Sequence, residues 1–143
     1  MVWTIVPQPY RGVTYAVEPD ASAASYAFAA AAIVGGTVHV DGLGERSLQG
    51  DLAFVDPLER MGARVQRTSD ATVVHRDGPL RGIEADLSQI SDTAQTLAVV
   101  AAFADSPTRV TGIGFIRGKE TDRVGAVVTE LRRAGVAATE EPD

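Results

Sequence analysis

Four ionisable residues of both signs stand almost side by side, Lys119, Glu120, Asp122 and Arg123, in the stretch RGKETDRVGAVVTELRRAG from Arg117 to Gly135. An amphipathic helix follows, with Val124, Val127, Val128 and Leu131 spaced at i, i+3, i+4 and i+7. Capping that helix needs only one of the four: Asp122 suits its positive end, and the others could simply be solvated. The chemistry open to the surplus is anion binding, because Lys119 and Arg123 flank a helix N-terminus whose N–H groups already favour phosphate or carboxylate. Asp92, in QISDTAQT, has two readings of its own. Before an apolar helix it is a natural N-cap, which is the reading the local pattern favours. In a cleft, within reach of a substrate hydroxyl, it would be a general base.

Other residues offer less. GLGERSLQGD, from Gly42 to Asp51, is punctuated by glycine but matches neither the phosphate-loop nor the dinucleotide spacing, and reads as a connection. His39 alternates with Val38 and Val40 and points to the opposite sheet face, while His75 ends a strand beside Arg76; neither has triad partners. Ser22 and Ser25 lie on an alanine-rich helix as packing residues. With no cysteine there is no disulfide framework or thiolate metal site, and two histidines offer little for zinc.

Composition narrows the classes further. The 143 residues are 45% hydrophobic and 22% charged, ordinary for a globular core. A net charge of -6 argues against general nucleic-acid binding, so any anionic ligand must be held by local lysines and arginines. The most apolar stretch, AASYAFAAAAIVGG, is too short to cross a membrane, and no secretory core follows Met1, which makes the cytoplasm the default location.

The elements that would position these residues repeat. Val13 to Val17 alternates as a strand, Ala23 to Val34 is a helix stopped by Gly35 and Gly36, TVHVDG is a strand, and Leu52 to Met61 is helical. ARVQRTSDATVVHRDG then reads as a hairpin turning at Ser69 and Asp70. Pro57 conflicts with an unbroken helix and predicts a restart, with Asp56 as N-cap and Glu59 three residues on. The order begins again with IEADL as a strand, Asp92 to Phe103 as a helix, TRVTGIG as a strand and Asp122 to Ala134 as a helix. VDGLG (40–44) and VTGIG (110–114) lie 70 residues apart, Asp20 and Asp92 72 apart, Gly62 and Gly135 73 apart. The unit is βαβαββ: residues 1–10 read as a strand left from a preceding unit, 11–78 as a whole unit, and 79–143 as a second unit lacking its last strand. An incomplete unit leaves a sheet edge open, available to the rest of a longer protein or to a second copy.

VEPDASAASYAFAAAAIVGGTVHVDGLGERSLQGD, ISDTAQT and above all GKETDR, in that order, resemble the 5-enolpyruvylshikimate-3-phosphate synthase family, the 3-phosphoshikimate 1-carboxyvinyltransferases. The resemblance implies an α/β protein of two lobes, each an inside-out barrel of three βαβαββ units, with the active site between them. It implies transfer of the enolpyruvyl group of phosphoenolpyruvate to the 5-hydroxyl of shikimate 3-phosphate, with release of phosphate and no cofactor. By motif, Asp92 resembles the carboxylate at the 5-hydroxyl, Lys119 the lysine beside it, Glu120 the glutamate for proton exchange at the methylene, and Arg123 an arginine on phosphoenolpyruvate. Phe115 stands where several members have an asparagine on the shikimate ring, and Arg11 near a place where some have a phosphate-binding serine. The family's N-terminal lysine, serine and arginine cluster, its Ser-Ser-Gln motif and its C-terminal basic residues have no counterpart in this sequence. The implied partners are therefore the two substrates and the remainder of an enzyme, with the isolated chain inactive. The alternatives are a non-catalytic binding or scaffolding domain of this fold and a related transferase acting on a nucleotide sugar.

Overall fold

A computed structural model describes residues 2–143. Helix α1 (Ala21–Val34) is the central element. Its alanines have the highest helix propensity and no bulk, so the helix can lie close to its neighbours. Ala21, Ser25, Phe28, Ala29, Ala31 and Ala32 are buried. The Asp20 carboxylate accepts from the Ala23 N–H at 3.0 Å, and Gly35, at φ 89°, ends the helix in a conformation that disfavours a side chain.

Strand β1 (Gly36–Asp41) leaves α1 and pairs antiparallel with β3 (Ala71–Arg76), which also pairs with β2 (Arg64–Arg67), giving the order β1-β3-β2. The expected hairpin is therefore formed, with Arg67 opposite Thr72 and the turn closed by the Thr68 N–H to the Ala71 carbonyl at 2.8 Å. The loop after β1 is clipped onto that turn: the Gly42 N–H donates to the Asp70 carbonyl at 2.7 Å, and the buried Thr72 hydroxyl to the Leu43 carbonyl at 2.8 Å.

The restart before Pro57 is present, by a different device. A 3-10 turn over Gly50–Phe54 passes into α2 (Val55–Met61), so Pro57 lies in the first turn, where a missing N–H costs little. Asp56 is inside the helix and caps nothing; its carboxylate pairs with Arg67 on β2.

From its first helix on, the second half repeats the order of the first, preceded by a short strand: β4 (Glu84–Asp86), a 3-10 turn at Ser91–Thr93, α3 (Ala94–Ala101), β5 (Arg109–Thr111), a 3-10 turn at Gly114–Gly118 and α4 (Arg123–Arg133). β4 and β5 pair in parallel, Ala85 opposite Val110, with α3 in the crossover that parallel strands need. The halves share one core, in which Phe28, Leu43, Phe54 and Leu58 meet Leu87, Leu97, Val100 and Ile116. A buried hydroxyl pair links the repeated helices. Ser25 Oγ donates to the Ser22 carbonyl at 2.6 Å, so Thr96 Oγ1, 3.3 Å away, is the donor to it.

One expectation is corrected. Residues 2–20 form no helix or strand, so neither Val13–Val17 nor the described part of 1–10 makes the strand that its pattern suggests. Val13, Tyr15 and Val17 are exposed. Alternation marks a surface fit to pack in a sheet, and it becomes a strand only where a ladder takes up its N–H and C=O groups.

Candidate active-site wall

The helix starts carry the site. Beside the beginning of α1, the 3-10 turns at Gly50–Phe54 and Ser91–Thr93 pack against α1 and against each other. The two aspartates that match in the repeat part ways here. Asp20 immediately precedes α1 and caps it. Asp92 sits within a 3-10 turn, two residues ahead of α3, and caps nothing, which corrects the reading that the local pattern favoured. That turn is fixed instead by Thr93, whose buried hydroxyl donates to the Ile90 carbonyl at 2.7 Å. The Asp92 carboxylate is left free to turn toward the second helix start.

There it meets the charged stretch. Lys119 Nζ donates to Asp92 Oδ1, and Arg123 Nη1 donates to the same oxygen at 2.8 Å. Arg123 also forks onto Glu120, Nε to Oε1 at 2.8 Å and Nη2 to Oε2 at 2.9 Å. The planar guanidinium thus bridges two carboxylates, a geometry that a lysine ammonium cannot reproduce. Asp122 takes no part: its Oδ1 caps α4 by accepting from the Gly125 N–H at 2.9 Å, as expected. Of the charges in the opening stretch, one is thus spent on capping, and Lys119, Glu120 and Arg123 converge with Asp92.

The ionisation states follow from these contacts. The Lys119 ammonium, with Arg123 behind it, holds the Asp92 carboxyl below the usual range against the opposing effect of burial. Arg123 does the same to Glu120 and is itself stabilised as a cation, first by Glu120. The carboxylates are the open members, Asp92 52% and Glu120 63% exposed, while Lys119 and Arg123 are 30% and 21% exposed. Both cations sit on Oδ1 of Asp92, which leaves Oδ2 for a hydroxyl. Two positive and two negative groups sum to zero, so an incoming anion must compete with Asp92 and Glu120 for the cations.

The first half has no such constellation in the matching place. Ser22 Oγ donates to Asp51, and Glu18 accepts from Ser47 Oγ at 2.6 Å, the Leu48 N–H at 3.0 Å and Gln49 Nε2 at 3.0 Å, which lowers the Glu18 carboxyl's pKa. This clasp ties the chain entering α1 to the loop at 47–51 and has no cation. Arg11 lies on the irregular N-terminal segment, and Phe115 is exposed in the 3-10 turn before Lys119. Sequence reasoning missed the Glu18 clasp and the pairing of Arg117 with Asp122. Arg117 stood in plain view, five residues before a capping aspartate, the spacing of a bridged loop. His39 pairs with Asp41 at 3.3 Å and His75 with Thr37 at 2.8 Å, both away from this cluster. Among the described residues there is no group of three side chains fit to hold a metal ion, and no helix long and apolar enough to cross a membrane.

With fold and cluster in place, comparison with known proteins assigns the chain. Among solved structures it is similar to an EPSP synthase from Acinetobacter baumannii, with a TM-score of 0.75 and 26% identity over 89% of this chain and 31% of that one. It is also similar to the enolpyruvyl transferase NikO from Streptomyces tendae, with a TM-score of 0.52 and 25% identity over 66% of this chain and 23% of that one. The architecture is thus the α/β fold of the enolpyruvyl transferases. The model of the EPSP synthase (3-phosphoshikimate 1-carboxyvinyltransferase) family matches residues 2–143, and the chain belongs to that family. Relatives named 3-phosphoshikimate 1-carboxyvinyltransferase include one from Nostoc punctiforme, 51% identical over 136 residues, and one from Methanoculleus marisnigri, 54% identical over 134 residues. These alignments cover 95% and 92% of this chain but 32% of each relative, so the chain spans about a third of their length.

Proposed function

We propose that this chain forms one wall of the cleft in which the enolpyruvyl group of phosphoenolpyruvate is transferred to the 5-hydroxyl of shikimate 3-phosphate. The observation that carries the reading is the divergence of Asp20 and Asp92: matching residues of a repeat, one capping its helix, the other turned onto Lys119 and Arg123. Capping explains the first and cannot explain the second.

In this reading Arg123 binds an anionic group of phosphoenolpyruvate, giving up its ties to Asp92 and Glu120 as it does so. Losing that cation makes both carboxylates more basic, which is what each needs for its part. Asp92 accepts the proton of the 5-hydroxyl as its oxygen attacks C2 of phosphoenolpyruvate, with Lys119 offsetting the charge that develops on that oxygen. Glu120, made basic enough to take up a proton from solvent as Arg123 leaves it, gives that proton to the methylene carbon as the tetrahedral adduct forms. It takes one back as phosphate departs, while the hydroxyl proton held by Asp92 leaves with the phosphate. Electrons and protons balance without a cofactor.

The neutral sum of the cluster supports a further part of the proposal. Two multiply anionic substrates require cations beyond Lys119 and Arg123, so we place the opposite wall on other segments of a longer enzyme, as the one-third coverage of the relatives suggests. The unpaired outer edges of β1 and β2 suit pairing with such segments or with a second copy. We also retain the division into a unit over 11–78 and a second over 79–143, which the recurring element order supports.

The test is phosphate release from phosphoenolpyruvate and shikimate 3-phosphate. The 143-residue chain alone is expected to give no turnover, and a chimera in which it replaces the matching third of the Nostoc punctiforme relative is expected to turn over. Robust turnover by the chain alone would contradict the single-wall reading. A folded but inactive chimera would contradict the function.

A further inference from the structure

Arg117 belongs to the charged stretch by sequence but not by contact. Its guanidinium turns away from Asp92: Nη1 donates to Asp122 Oδ2 and to Glu140 Oε2, each at 2.8 Å, and Nη2 to the Glu141 carbonyl at 2.7 Å. With three acceptors engaged it has little left for a ligand, and Glu140 first, then Asp122, stabilise its charge. Its place in the chain is what matters. Between Arg117 and Asp122 lie Gly118, Lys119, Glu120 and Thr121, so the Arg117–Asp122 pair closes the base of a loop whose tip carries two of the four site residues.

Apart from the ion pairs that its tip makes with Asp92 and Arg123, that loop has few other restraints. Before it, Ile116 is buried in the core. After it, Asp122 is fixed by capping α4. Between them, a side-chain carbon at Gly118 would meet nothing within 4 Å, and the Lys119 N–H reaches the Ile116 carbonyl only at 3.4 Å. A glycine next to Lys119 would let the tip wander unless something held its two ends together.

We propose that Arg117 is a positioning residue, a brace that fixes the Gly118–Thr121 loop so that Lys119 and Glu120 stand against Asp92 and Arg123. That this posture serves catalysis rests on the function proposed above; that Arg117 maintains it does not. The experiment therefore uses no substrate. The probe is the Asp92 carboxyl resonance of the 143-residue chain, titrated by carbon-13 NMR alongside the backbone dynamics of Gly118 to Glu120. Asp92 faces Lys119 and Arg123, with Glu120 beyond, so its midpoint reports whether the tip is in place.

Arg117→Gln is expected to loosen the tip amides and raise the Asp92 midpoint toward the ordinary carboxylate value, and Arg117→Lys to restore part of the change. Loss of a positive charge alone would act in the same direction, so the deciding variant is Asp122→Ser. Serine still caps α4, and removing a negative charge would by itself lower the Asp92 midpoint, whereas a released loop raises it. Glu140→Gln, which weakens one of the two contacts to the C-terminal segment and leaves the Asp122 pair in place, is expected not to raise the midpoint. A fall on Asp122→Ser, or no change in the tip amides on Arg117→Gln, would overturn the proposal. So would a Glu140→Gln effect as large as that of Arg117→Gln.

Discussion

At the scale of residues, the site turns on what a guanidinium can do that an ammonium cannot. Arg123 reaches Asp92 with one nitrogen while forking onto both oxygens of Glu120 with two others. Arg123→Lys keeps the charge and loses the fork. In the active chimera it is expected to raise the KM for phosphoenolpyruvate by about tenfold, the worth of one charge-assisted hydrogen bond. Steady-state kinetics with phosphoenolpyruvate varied would show it, and an unchanged KM would remove Arg123 from the binding role. The charged stretch was legible from its excess over capping needs, and Asp122 as the cap was legible from its place. The state of Asp92 was not. Whether an aspartate caps depends on whether the helix begins at the next residue or after a 3-10 turn, and here Thr93, buried and bonded back to the Ile90 carbonyl, holds such a turn.

At the scale of elements, local rules worked where an end was marked by chemistry. α1 and α4 begin after Asp20 and Asp122 and stop near Gly35 and Gly135, as their caps announce. The restart before Pro57 was legible from proline's missing N–H, but Asp56 is drawn to Arg67, a partner that only the hairpin brings near. Strand order needed the whole fold: nothing local says that β3 rather than β2 lies beside β1. Residues 13–17 carry strand patterning and find no ladder. Loop packing was likewise invisible, although Gly44 holds the key to it. A side-chain carbon at Gly44 would run into the backbone of Ser69 and Asp70, where the loop after β1 lies against the hairpin turn. Gly44→Ala is expected to destabilise the chain by about 1 to 3 kcal/mol, the usual cost of overpacking. Urea unfolding would register this as a lower midpoint with an unchanged slope; an unchanged midpoint would mean the loop yields freely.

At the scale of the molecule, charge is the organising quantity. The chain carries a net -6, yet six carboxyls, Glu18, Asp70, Asp86, Asp92, Glu120 and Asp122, are held below their ordinary range by hydrogen bonds and cations in the fold. A carboxyl whose folded pKa is depressed contributes stability above its unfolded value, about pH 4, and loses it as pH falls through the folded value. The melting temperature is therefore expected to be steady near neutrality and to fall below about pH 4, with a shallower fall in Glu18→Gln. A melting temperature that rose on acidification would contradict the depressed values.

On the proposed function, the same scale accounts for the inactivity expected of the chain alone. Orientation and preorganised charge come from walls that face each other, and the cluster of Asp92, Lys119, Glu120 and Arg123, with no surplus of positive charge, would supply one of them. What distinguishes it from the first half of the chain is the use made of a repeated aspartate. The most direct measurement sets Asp20→Ala beside Asp92→Ala in the active chimera, recording kcat and unfolding free energy for both. Asp92→Ala is expected to lower kcat by about 10² to 10⁴-fold, the range of a general base, with little loss of stability. Asp20→Ala is expected to lose about 0.5 to 2 kcal/mol of stability, the worth of an N-cap, with kcat nearly intact. Equal losses of kcat at the two positions, or a stability loss at Asp92 matching that at Asp20, would contradict the division of labour on which the site assignment stands.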